Sequence, residues 1–412
     1  IPDIDLVIVD LYPFEEYVAA NAPHEDIIEK IDIGGISLIR AAAKNYNDVI
    51  IIPCSDEYGK LLEVLKGHGC ASTLEERRYF ATKAFLTSSH YDTMIFDYFN
   101  TEEKISVFDK SITRTTHLRY GENPHQAGVY FGPEDSLPEQ IHGKEISYNN
   151  LLDIEAAVEL ISDFNEPAVA VIKHNNACGC AVRNTVLEAW QDALKADPVS
   201  AFGGIIAANR TIDLATAQDI NKIFFEVIIA PEYENEALEV LKSKKNRIIL
   251  KSGNVKPSEE KFRSMFNGVL MQKRDDIVEQ PEDLRVASVK APTLQERDDL
   301  LFANILVKHS KSNAIVLAKN KMLLASGIGQ TSRVDALKQA IEKARSFELS
   351  LEGAVMSSDA FFPFPDCVEI AHKAGITAVI HPGGSIRDNE SIEYCDRNNV
   401  AMVITGKRHF KH

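Results

Sequence analysis

The sequence predicts an α/β protein that contains a repeated unit. Three observations lead there. Over the first 52 residues, short apolar runs alternate with helical stretches. The run Ala168-Val169-Ala170-Val171-Ile172 is apolar throughout and reads as a buried strand. The landmarks that follow it recur in the same order about 150 positions later.

In chain order, residues 6–9 form a strand that ends at "DLYPF" (10–14), and a helix over 24–31 leads to "IDIGG" (31–35). A second helix, "ISLIRAAAKN" (36–45), opens behind the pair Gly34-Gly35 and precedes a strand at 48–53. Residues 74–100 read as a long amphipathic helix, and the polar stretch 101–118 as a linker. This sets a first domain at 1–110 and a second at 111–412. The first repeat copy runs from "AVAVIKHNNACG" through "WQDALKA" and "VSAFGG" to "EVIIAP" (226–231). The second runs from "NAIVLAKNKMLLASGIG" through "VDALKQA" and "SDAFFPF" to "AVIHPGG" (378–384). The copies divide the second domain at roughly 111–300 and 301–412.

With 412 residues, 45% hydrophobic and 26% charged, the composition is that of a globular protein with more than one core. No apolar run reaches the roughly 20 residues of a membrane helix, so no membrane partner is expected. The net charge of −16 argues against a nucleic-acid backbone as partner. Six scattered cysteines fit a reducing, cytoplasmic setting.

The chemistry concentrates at "VIKHNNACGC" (171–180), where Lys173 and His174 arrive together at a strand end. A turn there aims both side chains into one cleft. An imidazole can exchange a proton near neutral pH, and a neighbouring ammonium keeps it unprotonated and can stabilise an oxyanion. A solvated lysine beside a structurally bonded histidine is the bland alternative. "LRYGENPHQ" (118–126), "SYNNLLD" (147–153), "KSNAIVLAKN" (311–320), "SGIGQTSR" (326–333) and "SSDAFFPFPD" (357–366) are similarly polar or aromatic for their surroundings. The Phe-rich stretch suits a flat heterocycle. Zinc is not expected: Cys178 and Cys180 are spaced Cys-x-Cys, and no His-x-Glu occurs.

Taken together, "LYPF", "IDIGG", "RAAAKN", "RYGENPHQ", "VIKHNNACG", "SAFGGIIA", "KSNAIV", "SSDAFFPF", "PGGSIRD" and the terminal "RHFKH" resemble the bifunctional purine biosynthesis family, which combines AICAR transformylase with IMP cyclohydrolase. The resemblance covers essentially the whole chain. It implies a methylglyoxal-synthase-like α/β domain, here partial, followed by two cytidine-deaminase-like units without zinc. It also implies a homodimer, AICAR, FAICAR and folate as ligands, 10-formyltetrahydrofolate as co-substrate, and no catalytic metal. In the transformylase it makes Lys173, His174 and Asn313 catalytic. Arg119, Tyr120, Asn150, Phe202, Gly203, Arg333, Phe361, Asp366 and Arg408 would bind substrate; Pro365 stands where some members have Arg. In the cyclohydrolase it makes Tyr12, Asp32 and Lys44 catalytic, with Arg40 and Asn45 beside them. The family's cyclohydrolase phosphate-binding stretch, with a further lysine, would precede Ile1, so formyl transfer is expected to be complete and ring closure poor in the chain as it stands. A non-catalytic nucleotide-binding module would lack the Lys-His pair, and a nucleoside deaminase would need the missing metal ligands.

Overall fold

The computed structural model describes residues 3–253, 255 and 257–412, and the chain divides into two compact units, Ile1–Thr115 and Thr116–His412.

In the first unit, β1 (Leu6–Ile8) is followed by α1 (Phe14–Ala19), α2 (His24–Ile28) and α3 (Gly34–Lys44), then β2 (Ile50–Ile52), α4 (Tyr58–Gly67) and α5 (Leu74–Glu103). The strands pair in parallel, Leu6 opposite Ile50 and Ile8 opposite Ile52, which requires the long helical crossover between them. Side chains of β2 alternate between two cores. Ile51 joins Ile39 and Ala43 of α3, while Ile50 and Ile52 join Leu61, Val64 and Phe80. Helix α5 starts on a capping box in which Thr73 and Glu76 satisfy each other's backbone amides. Helix α2 stops short of the expected residue 31 because the Tyr91 hydroxyl donates to Lys30 O (2.5 Å) and accepts from the Asp32 amide (2.9 Å), drawing 30–32 out of helical geometry. The expected linker is shorter at both ends. Helix α5 continues to Glu103, and β3 (Thr115–Leu118) pairs with β4 (Gly128–Phe131).

The second unit is built on one mixed sheet of twelve strands, so the fold is α/β. The first copy comprises β5 (Glu139–His142), α6 (Tyr148–Ser162), β6 (Ala168–Lys173), β7 (Asn176–Val182), α7 (Val186–Ala196), α8 (Pro198–Ala201), β8 (Ile205–Ala208), α9 (Leu214–Ile220), β9 (Val227–Ala230), α10 (Asn235–Lys242) and β10 (Ile248–Lys251). A separate hairpin follows, β11 (Glu260–Met265) with β12 (Gly268–Lys273). The second copy comprises β13 (Arg285–Val286), α11 (Leu294–Lys308), β14 (Ile315–Lys319), β15 (Met322–Gly327), α12 (Arg333–Ser346), β16 (Ala354–Ser358), α13 (Asp366–Lys373), β17 (Ile376–His381), α14 (Asp388–Asn398) and β18 (Ala401–Ile404).

The strand order is β13-β18-β17-β16-β14-β15-β7-β6-β8-β9-β10-β5, two mirrored halves joined where β15 meets β7. In each half an antiparallel hairpin lies at the centre and parallel strands lie outside it. Both faces of the sheet are buried: Val169 and Val171 of β6 face α7, α9 and α10, whereas Ala168, Ala170 and Ile172 face α6. The second copy thus begins at β13, ahead of residue 301, because α11 plays the part of α6. Both helices have 15 residues and start on capping boxes, Ser147 with Asn150 and Thr293 with Glu296.

Helix and sheet approach most closely at two glycines. A Cβ on Gly327 would stand 1.8 Å from Ala336 O, and one on Gly179 would stand 2.1 Å from Ala193 O. Both obstacles are helix backbone and cannot swing aside. Gly327→Ala should therefore destabilise the protein by about 3 kcal/mol, the upper part of the usual overpacking range, or prevent folding. Equilibrium denaturation read by circular dichroism measures this; a loss under about 0.5 kcal/mol would contradict the packing described.

Candidate functional site

Lys173 closes β6, and His174 and Asn175 form the two-residue turn into β7. Both turn residues are left-handed, with φ of 51° and 63°. Such turns favour Asn-Gly, and a histidine in this region costs roughly 1 kcal/mol. The turn is braced from α6, where Asp153 Oδ1 accepts the Asn175 amide at 2.6 Å. Burial raises the Asp153 carboxyl above its usual range, while the Asn175 amide and the charges of His174 and Lys173 pull the other way. Lys173 Nζ donates to Phe202 O at 2.9 Å. Gly203, next in the chain, is left-handed (φ 71°), and a Cβ there would stand 3.3 Å from that ammonium. Phe202 is 62% exposed and its ring lies 5.2 Å from that of Phe224. His174 is exposed.

The second copy approaches the same turn. Asn176 Oδ1 accepts the Lys311 amide at 3.0 Å, joining the turn to the loop that carries Asn313. Asn313 Nδ2 donates to Gln330 O (3.0 Å), and its Oδ1 accepts from Arg333 Nη2 at 2.9 Å. The same Arg333 nitrogen bonds Asp359 Oδ1 at 3.0 Å, and Asp359 is fully buried. Asp359 Oδ2, Arg333 Nε and His381 Nε2 are buried without hydrogen-bond partners. Phe362 is buried against the His381 ring at 4.7 Å, while Phe361 and Phe364 stay partly exposed, 37% and 50%. Asp366 opens α13 and accepts the Cys367 amide.

The C-terminal tail is held within the chain. The Ser312 amide donates to Lys411 O (2.9 Å), the Lys411 amide donates to Ser312 Oγ (3.0 Å), and the His409 amide donates to Asp359 O at 3.1 Å. The His409 ring bonds Asp275 (2.7 Å) and Glu279 (2.9 Å), and Glu279 reaches Ser357 through Asn304. Burial disfavours the imidazolium, but the two carboxylates outweigh it and raise His409 to about 9. The buried residue of the tail is thus satisfied within this chain. Arg408 remains exposed, stacked 4.3 Å from the Phe410 ring centroid.

Other sequence-derived candidates are dispersed. Arg119 and Tyr120 pair with each other at 3.0 Å, and Asn149 ties their loop to α6 through Glu122 O. Asn150 is buried and committed, accepting from Ser147 and donating to Glu226 at 3.1 Å. In the first unit, Asp32 accepts the Gly35 amide at 2.6 Å at the start of α3, and Arg40 donates to Ser88 at 3.2 Å. Lys44 and Asn45 are exposed at the end of that helix, and Tyr12 is 56% exposed with Lys30 Nζ 5.9 Å from its ring.

Sequence reasoning missed Asp153, Asp359 and the Asp275–Glu279–His409 group. One signal existed for Asp153: it lies 20 positions before Lys173, as Asp299 lies 20 before Lys319. Cys178 and Cys180 are raised by burial, Cys178 to about 12, which keeps both thiols protonated. Among the described residues, no three His, Cys, Asp or Glu side chains cluster to hold a metal, and no helix is long and apolar enough to cross a membrane.

The family model described as AICARFT/IMPCHase bienzyme matches residues 42–343. The chain is 64% identical over 412 residues to the bifunctional purine biosynthesis protein PurH of Bacteroides thetaiotaomicron, spanning all of this chain and 81% of that protein. It is 46% identical over 429 residues to the protein of the same name from Persephonella marina, and 46% over 422 residues to that from Aquifex aeolicus, with 82% of each covered.

The His409 geometry makes stability depend on alkaline pH. The folded imidazole keeps its proton to about 9, whereas the unfolded one loses it near 6.5. Its contribution is complete below pH 6.5 and is lost as pH rises through 9. Thermal melts across this window should fall for the native protein and flatten for His409→Gln; parallel curves would refute the assignment.

Proposed function

The chain belongs to the AICARFT/IMPCHase bienzyme family, and from that premise we propose that Lys173, His174 and Asn313 carry out its formyl transfer. The enzyme is bifunctional and acts in de novo purine biosynthesis: it formylates AICAR to FAICAR and then closes FAICAR to IMP with loss of water. The co-substrate is 10-formyltetrahydrofolate. The observation that carries the residue assignment is the Lys173-His174 turn, joined through Asn176 and Lys311 to the Asn313–Arg333–Asp359 cluster.

The 5-amino group of AICAR is a poor nucleophile, its lone pair delocalised into the imidazole and carboxamide. As its nitrogen bonds the formyl carbon, His174 takes the amine proton. Lys173, anchored on Phe202 O, stabilises the oxyanion on the formyl oxygen. Collapse breaks the bond to N10 of the folate, which leaves with the proton that His174 took from the amine, so the imidazole is returned to its neutral form. Asn313 orients His174 and the substrate. The partnerless Arg333 Nε and Asp359 Oδ2 support ligand binding at that cluster. Arg119, Tyr120 and Arg408 are read as holding phosphate and ribose, and Asn150 as a further substrate contact. Phe202, Gly203, Phe361 and Asp366 are read as receiving the AICAR ring and the folate, where a carboxylate suits the pterin N–H groups.

In the first unit we assign ring closure to Tyr12, Asp32 and Lys44, with Arg40 and Asn45 beside them. There the carboxamide nitrogen attacks the formyl carbon and water departs. We read this unit as methylglyoxal-synthase-like and the two mirrored halves as cytidine-deaminase-like. The repeated β-α-β-β-α-β order supports the latter. The working form is read as a cytoplasmic homodimer, supported by the exposed apolar side chains Phe266, Leu270 and Met271 on the β11–β12 hairpin.

His174→Ala should lower kcat for formyl transfer by roughly 10²–10⁴-fold with little change in KM for AICAR, and leave FAICAR cyclisation intact. Near-native turnover would overturn the role of His174. Lys44→Ala should show the converse, impaired cyclisation with formyl transfer preserved. For the dimer, sedimentation velocity at assay concentration should show a two-chain species, and a fully active monomer would contradict it.

A further inference from the structure

The two mirrored halves contain the same turn twice. In the first, Lys173-His174-Asn175-Asn176 is braced by Asp153 of α6; in the second, Lys319-Asn320-Lys321-Met322 is braced by Asp299 of α11. Asp299 accepts the amides of Asn320 (2.8 Å) and Lys321 (2.6 Å), and both of those residues are left-handed, with φ of 52° and 49°. The brace is thus a device of the fold, used in both halves. The cargo of the turn differs. The second turn carries Asn320 and Lys321, and Lys321 is paired with Glu166 at 2.7 Å. The first carries His174, which is exposed. Asp153 holds that turn more completely than through the backbone alone. With its amide oriented by its partners, the Asn175 side chain donates to Asp153 Oδ1 (2.8 Å) and Leu152 O (3.1 Å).

We propose that Asp153 is a positioning residue for formyl transfer: by gripping Asn175 it fixes the left-handed turn and with it the direction in which His174 presents its imidazole to the substrate amine. The proposal rests on the reading of His174 as the base. Left-handed backbone is strained for a histidine, so a brace from outside the turn stabilises this conformation over the ordinary ones. The peptide between His174 and Asn175 is the lever. Freed from Asp153, it can rotate toward the ordinary β or α regions, which carries the imidazole away by an ångström or more. A displacement of that size costs on the order of 10²-fold in rate when the group must meet a reacting atom. Substrate affinity depends on phosphate, ribose and ring contacts made elsewhere, so KM should hardly change.

Asp299 supplies the control, because it performs the same structural task for a turn without an imidazole. Asp153→Ala should reduce kcat for formyl transfer about 100-fold with KM for AICAR within threefold, and Asp153→Asn, which keeps a weaker acceptor, about tenfold. Asp299→Ala, whose turn abuts the seam between the halves, should lower the melting temperature and reduce kcat no more than about threefold below it. Introduced into His174→Ala, Asp153→Ala should cause no further loss, since Asp153 acts only through His174. A native circular dichroism spectrum, recorded for every variant, reports a folded second unit. A native kcat in Asp153→Asn, an equal loss in Asp299→Ala, or an additive loss in the double variant would each overturn the proposal. Full activity in His174→Ala would instead remove the reading beneath it, whereas an inactive His174→Ala beside a fully active Asp153→Ala would remove this inference alone. Should Asp153→Ala fail to fold, Asp153→Asn alone and in the His174→Ala background decides the question.

Discussion

The second unit depends on a single strand-to-strand seam. β15 and β7 meet antiparallel with Met322 opposite Ala181, and the Val182 amide donates to Lys321 O at 3.0 Å. Arg183 locks the junction: its Nη1 donates to Val182 O (2.6 Å) and Asn320 O (2.7 Å), while its Nε is held by Asp192. A guanidinium with a fixed fork of donors can bridge two chain segments in this way, and a lysine could not. The seam sets the register between the halves, and so determines that the Asn176 side chain meets Lys311 and that the strand head bearing Asn313 lies beside the hairpin bearing His174. Neither half holds all of the proposed transformylase residues.

Much of this was legible in the sequence where the signal is local. Helix starts are written as capping boxes at Thr73, Ser147, Thr185 and Thr293, each with its partner three residues on. The apolar run at 168–172 reads as a strand covered on both faces, and it is one. The Lys-His pair stands out because two polar groups end such a run. What was not legible is non-local. Nothing in the stretch 274–284 announces that Asp275 and Glu279 will clasp His409, some 130 residues away in the chain. The α11 segment shares little residue identity with α6, so the second copy's true start was hidden, although its spacing from the hairpin is preserved. Asp153 looked like one more polar residue at a helix start, and only the folded hairpin gives it a task.

The tail shows how one buried charge organises several loops. An imidazolium between two carboxylates, nearly out of water, is stable only if every partner stays in place. His409 therefore ties the crossing segment 274–284 and the tail to one another, and its backbone bonds Asp359, whose carboxylate holds Arg333. The aromatic loop after β16 leaves from that same aspartate, so its root is rigid while Phe361 and Phe364 remain partly exposed.

The mirrored strand order has an implication for descent. Every strand of 139–251 neighbours only strands of that span, and every strand of 285–404 only those of its own, except at the seam. Such a sheet has the arrangement of two identical chains meeting edge to edge around a twofold axis, with the chains since fused. Fusion removes the demand that both copies stay alike. One hairpin tip could then keep an imidazole while the other became Asn-Lys, an asymmetry that a true pair of identical subunits could never acquire.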